Sequence, residues 1–249
     1  MNKIKALAIA AAMVWVTAWA QVPADSPIAI EVRDYKGNTQ PSEKVEALRL
    51  KGVAKAGRAD FKLICEACHL VTGGGKPDGS IPQLAGQHST VLIKQITDIR
   101  AGNRHNPMMY PFARQLADAQ SIANVSAYVA TLCIPLDSGK YLGADSPRQI
   151  AEGKVLYDRE CAQCHQANGE GLKEMFYPVL AGQHYEYLLR QMKNIREGVR
   201  TNVPPEMFKV ITKYDSTQLV SIAAYLANLN TPASMMMQSG SMCRAAKTR

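Results

Sequence analysis

The chain has 249 residues, 47% of them hydrophobic and 20% charged, with 29 Lys and Arg against 21 Asp and Glu for a formal charge of +8. This is the composition of a globular protein of one or two domains, and it excludes the disordered and collagen-like classes. A basic excess of this size is not in itself a nucleic-acid signature. After the first twenty residues there is no run of about twenty apolar residues, so the mature chain has no stretch able to span a bilayer.

Residues 1–20 read as a secretory signal peptide. Lys3 and Lys5 precede an apolar run from Ala6 to Trp19, and Ala18-Trp19-Ala20 forms a small-x-small cleavage site before Gln21. An uncleaved anchor is the competing reading, but the apolar run is short for a span. Export places the mature protein in a periplasm, where disulfides persist. Both tryptophans, Trp15 and Trp19, leave with the signal. Residues 21–50 form an N-terminal extension broken by Pro23, Pro27, Gly37 and Pro41, with a helical pattern setting in at Glu43.

From residue 51 the chain is a duplication. Ala54, Gly57 and Phe61 share a helical face leading into Cys65-Glu66-Ala67-Cys68-His69; 96 residues on, Ile150, Gly153 and Tyr157 lead into Cys161-Ala162-Gln163-Cys164-His165, behind a Ser146-Pro147 helix start. Cys-x-x-Cys-His is the spacing that lets two thiols bond to the two vinyl groups of one haem while the adjacent His reaches the iron. A four-Cys zinc site would draw both pairs into one centre, yet each pair sits in its own complete repeat. A redox dithiol would want a preceding strand, and here helical segments precede both motifs.

Glycine-rich turns follow each His, Gly73 to Gly79 and Asn168 to Gly171, and read as loops around a haem edge; a phosphate loop is excluded because Gly-Lys-Ser/Thr is absent. Thirteen residues past each His the repeats nearly coincide, as Pro82-Gln83-Leu84-Ala85-Gly86-Gln87-His88 and Pro178-Val179-Leu180-Ala181-Gly182-Gln183-His184. A helix follows in each, striped by Leu92, Ile96 and Ile99 or by Leu188, Met192 and Ile195, and ended by Gly102 or Gly198. Loops over 103–109 and 199–207 lead to a last helix carrying Ile122, Val125, Tyr128 and Leu132, matched by Leu219, Ile222, Tyr225 and Leu229. Residues 133–145, with Pro135, Gly139 and Gly143, read as the linker, and 231–249 as a loose Met-rich tail.

Within the two loops a soft thioether suits haem iron, and Met109 and Met207 lie 40 and 42 residues past their histidines. Met108 competes with Met109. His88 and His184 offer bis-His ligation instead, but they stand just before a helix and suit its N-terminal end. Cys133 and Cys243 remain, an even pair in an oxidising compartment, and either bridge or stay free.

These features together resemble the periplasmic dihaem cytochrome c4 family over about residues 50–230. The resemblance implies an all-α fold of two tandem cytochrome c-like domains, residues 51–137 with the start of the linker and 138–230, each wrapping one covalently bound haem c. It implies covalent attachment through Cys65, Cys68, Cys161 and Cys164, axial ligation of iron by His69 with Met109 and by His165 with Met207, and carbonyls of Pro82 and Pro178 accepting the proximal His Nδ1 hydrogens. It also implies a crossing of first and last helices, Gly57 and Phe61 against Tyr128, Gly153 and Tyr157 against Tyr225. Four propionates would reduce the net charge of the mature protein, so no nucleic-acid partner is expected. The expected role is one-electron shuttling to redox proteins such as a quinol-oxidising cytochrome complex, a terminal oxidase or a periplasmic dehydrogenase. Peroxidase or thiosulfate-oxidising activity, and a place as subunit of a larger dehydrogenase, are the alternatives.

Overall fold

The computed structural model describes residues 42–137 and 139–236. The signal peptide, most of the N-terminal extension and Cys243 lie outside the described residues. Within them the protein is helical, with two isolated bridges and no strand. The first unit contains α1 (Glu43–Arg49), α2 (Ala54–Asp60), a π turn (Phe61–Cys65) running into the short α3 (Glu66–His69), α4 (Ser89–Arg100), α5 (Tyr110–Ala113) and α6 (Ala119–Val129). The second repeats the plan with α7 (Ser146–Leu156), a π turn (Tyr157–Cys161), α8 (Ala162–His165), a 3-10 turn (Lys173–Met175), α9 (Tyr185–Arg196), α10 (Pro205–Ile211) and α11 (Ser216–Ala227). None of these helices is long and apolar enough to cross a membrane.

Side chains set several of the helix starts. Ser42 caps α1 by accepting from the Val45 N–H, Asp118 caps α6 through Ser121, and Asp215 and Gln218 form a reciprocal capping box on α11. At α7 the pattern begins one residue earlier than Ser146-Pro147 suggests, with Asp145 preceding the first turn.

Each unit closes by packing its motif helix across its last helix. The crossing is tight enough that a Cβ at Gly57 would run into the Asn124 carbonyl, and one at Gly153 into the Ser221 carbonyl. Next to each glycine crossing, Phe61 packs on Tyr128 with ring centroids 5.3 Å apart, and Tyr157 on Tyr225 at 5.4 Å. Phe61 and Tyr157 are fully buried, each in a separate apolar core.

Two segments set aside as peripheral are packed in, one in the first core and one in a separate cluster between the units. Helix α1 belongs to the first unit: Ala47 is fully buried in its core, and Glu43 forms two charged hydrogen bonds with Arg100, at 2.7 and 2.6 Å. Arg100 also donates to the carbonyls of Ala113 and Leu116 at 2.7 and 2.9 Å, tying α1 to the turn after α5. The linker and the start of the tail meet between the units, where buried Ile134 packs on Val179, Ala181 and Met235 and donates its N–H to the Met235 carbonyl at 2.8 Å. A single apolar residue in a Pro- and Gly-containing stretch has no period to reveal this. Cys133 beside it is disulfide-bonded, while Cys65, Cys68, Cys161 and Cys164 take part in no disulfide; Cys243, the partner suggested by the cysteine count, lies outside the described residues.

The crossing gives a direct test. Gly153→Ala forces a methyl group into backbone and is expected to destabilise the second unit by about 1–3 kcal/mol, measured as a lower unfolding midpoint of the holoprotein, whereas Gly198→Ala, where an added Cβ meets nothing within 4 Å but φ is 71°, incurs only backbone strain.

Candidate haem sites

Each Cys-x-x-Cys-His motif straddles a π turn and a single helical turn, so Cys65 ends the former and Cys68 and His69 lie on the latter; Cys161, Cys164 and His165 repeat this. The widened turn is followed by a residue with φ of 64°, Leu70 or Gln166, which turns the chain so that the carbonyl of His69 accepts from Gly75 N–H and that of His165 from Gly171 N–H, both at 3.0 Å. The loop then returns the proline segment beneath the ring. His69 Nδ1 lies 3.0 Å from the Pro82 carbonyl oxygen and His165 Nδ1 lies 3.1 Å from that of Pro178.

A carbonyl can only accept, so Nδ1 carries the proton and Nε2 is left for a metal. Burial lowers both ring pKa values against the opposing pull of the proline carbonyls, keeping the imidazoles neutral as ligation requires. The Cys65 and Cys161 thiols are pushed up to about 12, first by burial and then by nearby acidic groups. A redox dithiol depends on a thiol of lowered pKa. These thiols instead sit where a neutral thioether is favoured.

A cavity of about 730 Å³ opens beside the first motif, lined among others by Cys65, Cys68, His69, Pro82 and Met109. Met108 lines it too but is 63% exposed, whereas Met109, directly before α5, is half-buried with its N–H held by Asn106 Oδ1 at 3.1 Å. In the second unit Met207 sits in the first turn of α10, half-buried against the core that contains Tyr157 and Tyr214. Cys65, Cys68, His69, Pro82 and Met109 thus line one cavity, while in the second unit Met207 and Cys161 pack against one core.

The cavity continues to the boundary with the second unit, where Arg104 and Arg200 face each other. Arg104 donates to Gln95 Oε1 at 2.8 Å and Gln191 Oε1 at 3.1 Å; Arg200 donates to the same two atoms at 3.4 and 3.0 Å. Their other acceptors, Tyr187 and Asn202, are also neutral. Burial and the neighbouring Arg104 push Arg200 down to about 9. Two guanidinium groups at the rim of an apolar cavity, satisfied only by amides and a phenol, fit the carboxylates of a haem propionate pair. Sequence reading passed over all four residues. The available signal was the repeat itself, since Arg104 and Arg200, like Gln95 and Gln191, stand 96 residues apart.

The cytochrome c family model matches residues 54–133 and again 150–230. The chain belongs to the dihaem cytochrome c4 family. It is 31% identical to cytochrome c4 of Pseudomonas aeruginosa over 189 residues, covering 72% of this chain and 90% of that protein. A thiosulfate dehydrogenase electron acceptor of Stutzerimonas stutzeri is 32% identical over 179 residues, with 67% and 79% covered. The crystal structure of reduced cytochrome c4 from Pseudomonas stutzeri superposes with a TM-score of 0.62 at 28% identity, over 72% of this chain and 100% of that one. Membership with two such domains means that this cytochrome carries two covalently bound c-type haems with iron.

His88 and His184 of this cytochrome c4 are engaged at the boundary between the units. His88 Nε2 donates to the Glu170 carbonyl at 2.9 Å, and His184 Nε2 donates to the Gly74 carbonyl, its counterpart in the repeat, at 2.8 Å. His184 Nδ1 also accepts from the Gly139 N–H at 2.9 Å, so its ring is bonded at both nitrogens in the neutral state. Burial lowers both pKa values below the usual 6.5; carbonyl bonds and nearby acids, Glu174 for His88 and Asp137 with Asp78 for His184, oppose it only in part. The unfolded chain therefore takes up protons first as pH falls. Stability from this boundary is full above about pH 6.5 and declines below it towards the folded-state pKa values. Thermal unfolding of the holoprotein should show that decline, and His184→Gln should flatten it.

Proposed function

We propose that this protein carries single electrons in the periplasm between a respiratory donor, such as a quinol-oxidising cytochrome complex or a periplasmic dehydrogenase, and a terminal oxidase or reductase. The observation that supports it most is the placement of a candidate second ligand in each unit, Met109 on the wall of the cavity that the first motif lines and Met207 in the first turn of α10, packed against the same core as Cys161. A c-type haem bound there supplies one-electron iron chemistry. The residues would do the rest: His69 and His165, each in a fixed tautomer, would ligate iron, Cys65, Cys68, Cys161 and Cys164 would attach the haems covalently, and Met109 and Met207 would supply the second ligands. Phe61, Ile99, Leu116 and Val129 line the first cavity and exclude water from it. Ligation by His and Met at each iron would leave no coordination position for a substrate.

The similarity to a thiosulfate dehydrogenase electron acceptor supports the partner class of a periplasmic dehydrogenase for this chain. Thiolate ligation of the kind an oxidising dihaem enzyme would use is not available from Cys133, because that sulfur is in a disulfide.

Ligation is tested by opening it. The reduced wild-type holoprotein is expected to bind carbon monoxide at neither haem on mixing, and the oxidised form to show a near-infrared sulfur-to-iron band from both. Met109→Ala and Met207→Ala should each abolish about half of that band and admit carbon monoxide at one haem, while Met108→Ala changes neither. Fast binding to the wild type would mean an open site and an enzyme.

A further inference from the structure

The proline segments that hold the two histidines are themselves gripped from across the molecular boundary. The peptide Pro82–Gln83 presents its carbonyl to His69 Nδ1 and its N–H to Gln183 Oε1, at 3.0 Å in both cases. The peptide Pro178–Val179 presents its carbonyl to His165 Nδ1 at 3.1 Å and its N–H to Gln87 Oε1 at 2.9 Å. Each glutamine completes the grip by donating Nε2 to the next carbonyl, Gln183 to Gln83 at 2.9 Å and Gln87 to Val179 at 3.0 Å. Each Oε1 also accepts from the following histidine's N–H at 3.1 Å, which fixes the amide orientation. Gln83 and Gln183 are buried, with 6% and 8% exposed, so water does not compete.

We infer that Gln87 and Gln183 are positioning residues, each of which tunes the haem of the opposite unit by polarising the single peptide that holds that unit's proximal histidine. A peptide group that donates a hydrogen bond from its N–H becomes a stronger acceptor at its oxygen, because the bonds polarise one another. A stronger acceptor draws the imidazole Nδ1 hydrogen further, giving the ring more anionic character and making it a better donor to iron. More donation stabilises the oxidised state. Gln183 therefore lowers the potential of the first haem and Gln87 that of the second, a crossed arrangement that follows from two bonds meeting at one peptide. It also provides a route by which loosening the boundary is felt at both metals.

The inference rests on His69 and His165 being the axial ligands. It is tested on the holoprotein by following haem methyl resonances through a redox titration, each haem assigned by contacts with Phe61 or Tyr157. Gln183→Leu is expected to shift the first haem's reduction equilibrium by about twofold to fivefold towards the reduced state, about 20 to 40 mV at 59 mV per tenfold, leaving the second within error. Gln87→Leu should do the reverse. Gln183→Glu, which keeps an acceptor for the Gln83 N–H, should leave the first haem at or below its wild-type potential. Shifts confined to the haem of the mutated unit, equal shifts at both haems, or none in a folded variant would overturn the inference. A variant that failed to hold its fold would lose the second haem's signals as well, and Gln183→Glu then decides. Absence of histidine-ligated haem signals in the wild type would overturn the ligand assignment itself.

Discussion

A buried imidazole serves a metal only if it stays neutral and its ring cannot turn; in this protein burial does the first and one backbone carbonyl does the second for each haem site. Pro82 and Pro178 take the Nδ1 hydrogen of His69 and His165, and nearly everything around them serves to bring that carbonyl into place. The positive-φ residue after each motif turns the chain, the glycine-rich loop carries it round, and the proline, having no N–H of its own, leaves its segment free of a competing ladder. Behind the motif, the close crossing at Gly57 and Gly153 fixes the helix from which the histidine projects.

Duplication turned this local arrangement into a symmetric boundary. Gln87 and Gln183, His88 and His184, Arg104 and Arg200 are pairs 96 residues apart, and each member reaches into the other unit at the place its counterpart reaches back. Small departures from the symmetry are as informative. Asp98 is buried and held by Lys44 at 2.8 Å, Lys94 at 2.6 Å and Asn202 at 2.9 Å, joining α1, α4 and a loop of the second unit; its counterpart is Asn194. Burial pushes the Asp98 carboxyl pKa up, yet the two lysines and Asn202 outweigh it and hold it down. The second unit surrounds its site with Tyr157, Tyr177 and Tyr214 where the first has Phe61, Ile81 and Leu116. The two haem environments are therefore related without being alike.

The fold was largely legible because its strongest signals are local and repeated. Cys-x-x-Cys-His has one dominant chemistry, helical stripes such as Leu188, Met192 and Ile195 report a face directly, and the same spacings occurring twice exclude chance. What escaped was non-local. Ile134 fills the boundary from inside a stretch whose prolines and glycines spell a linker, and the helical pattern from Glu43 carries nothing to show that Ala47 packs into the first core. The glutamines and arginines of the boundary looked like ordinary polar residues, Gln95 and Gln191 on amphipathic helices and Gln87, Gln183, Arg104 and Arg200 in the adjoining loops. Their role depends on a partner about a hundred residues away, which periodicity within one helix cannot express.

Together these features describe two motif-bearing cores joined through the supports of their histidines, an arrangement suited to holding and passing electrons without rearrangement. Spectroelectrochemical titration of the holoprotein tests this most directly. Two one-electron steps, both at positive potential and both reversible with unchanged axial ligation, are the expected result. A step at strongly negative potential, or one accompanied by loss of a ligand and a high-spin spectrum, would contradict the account.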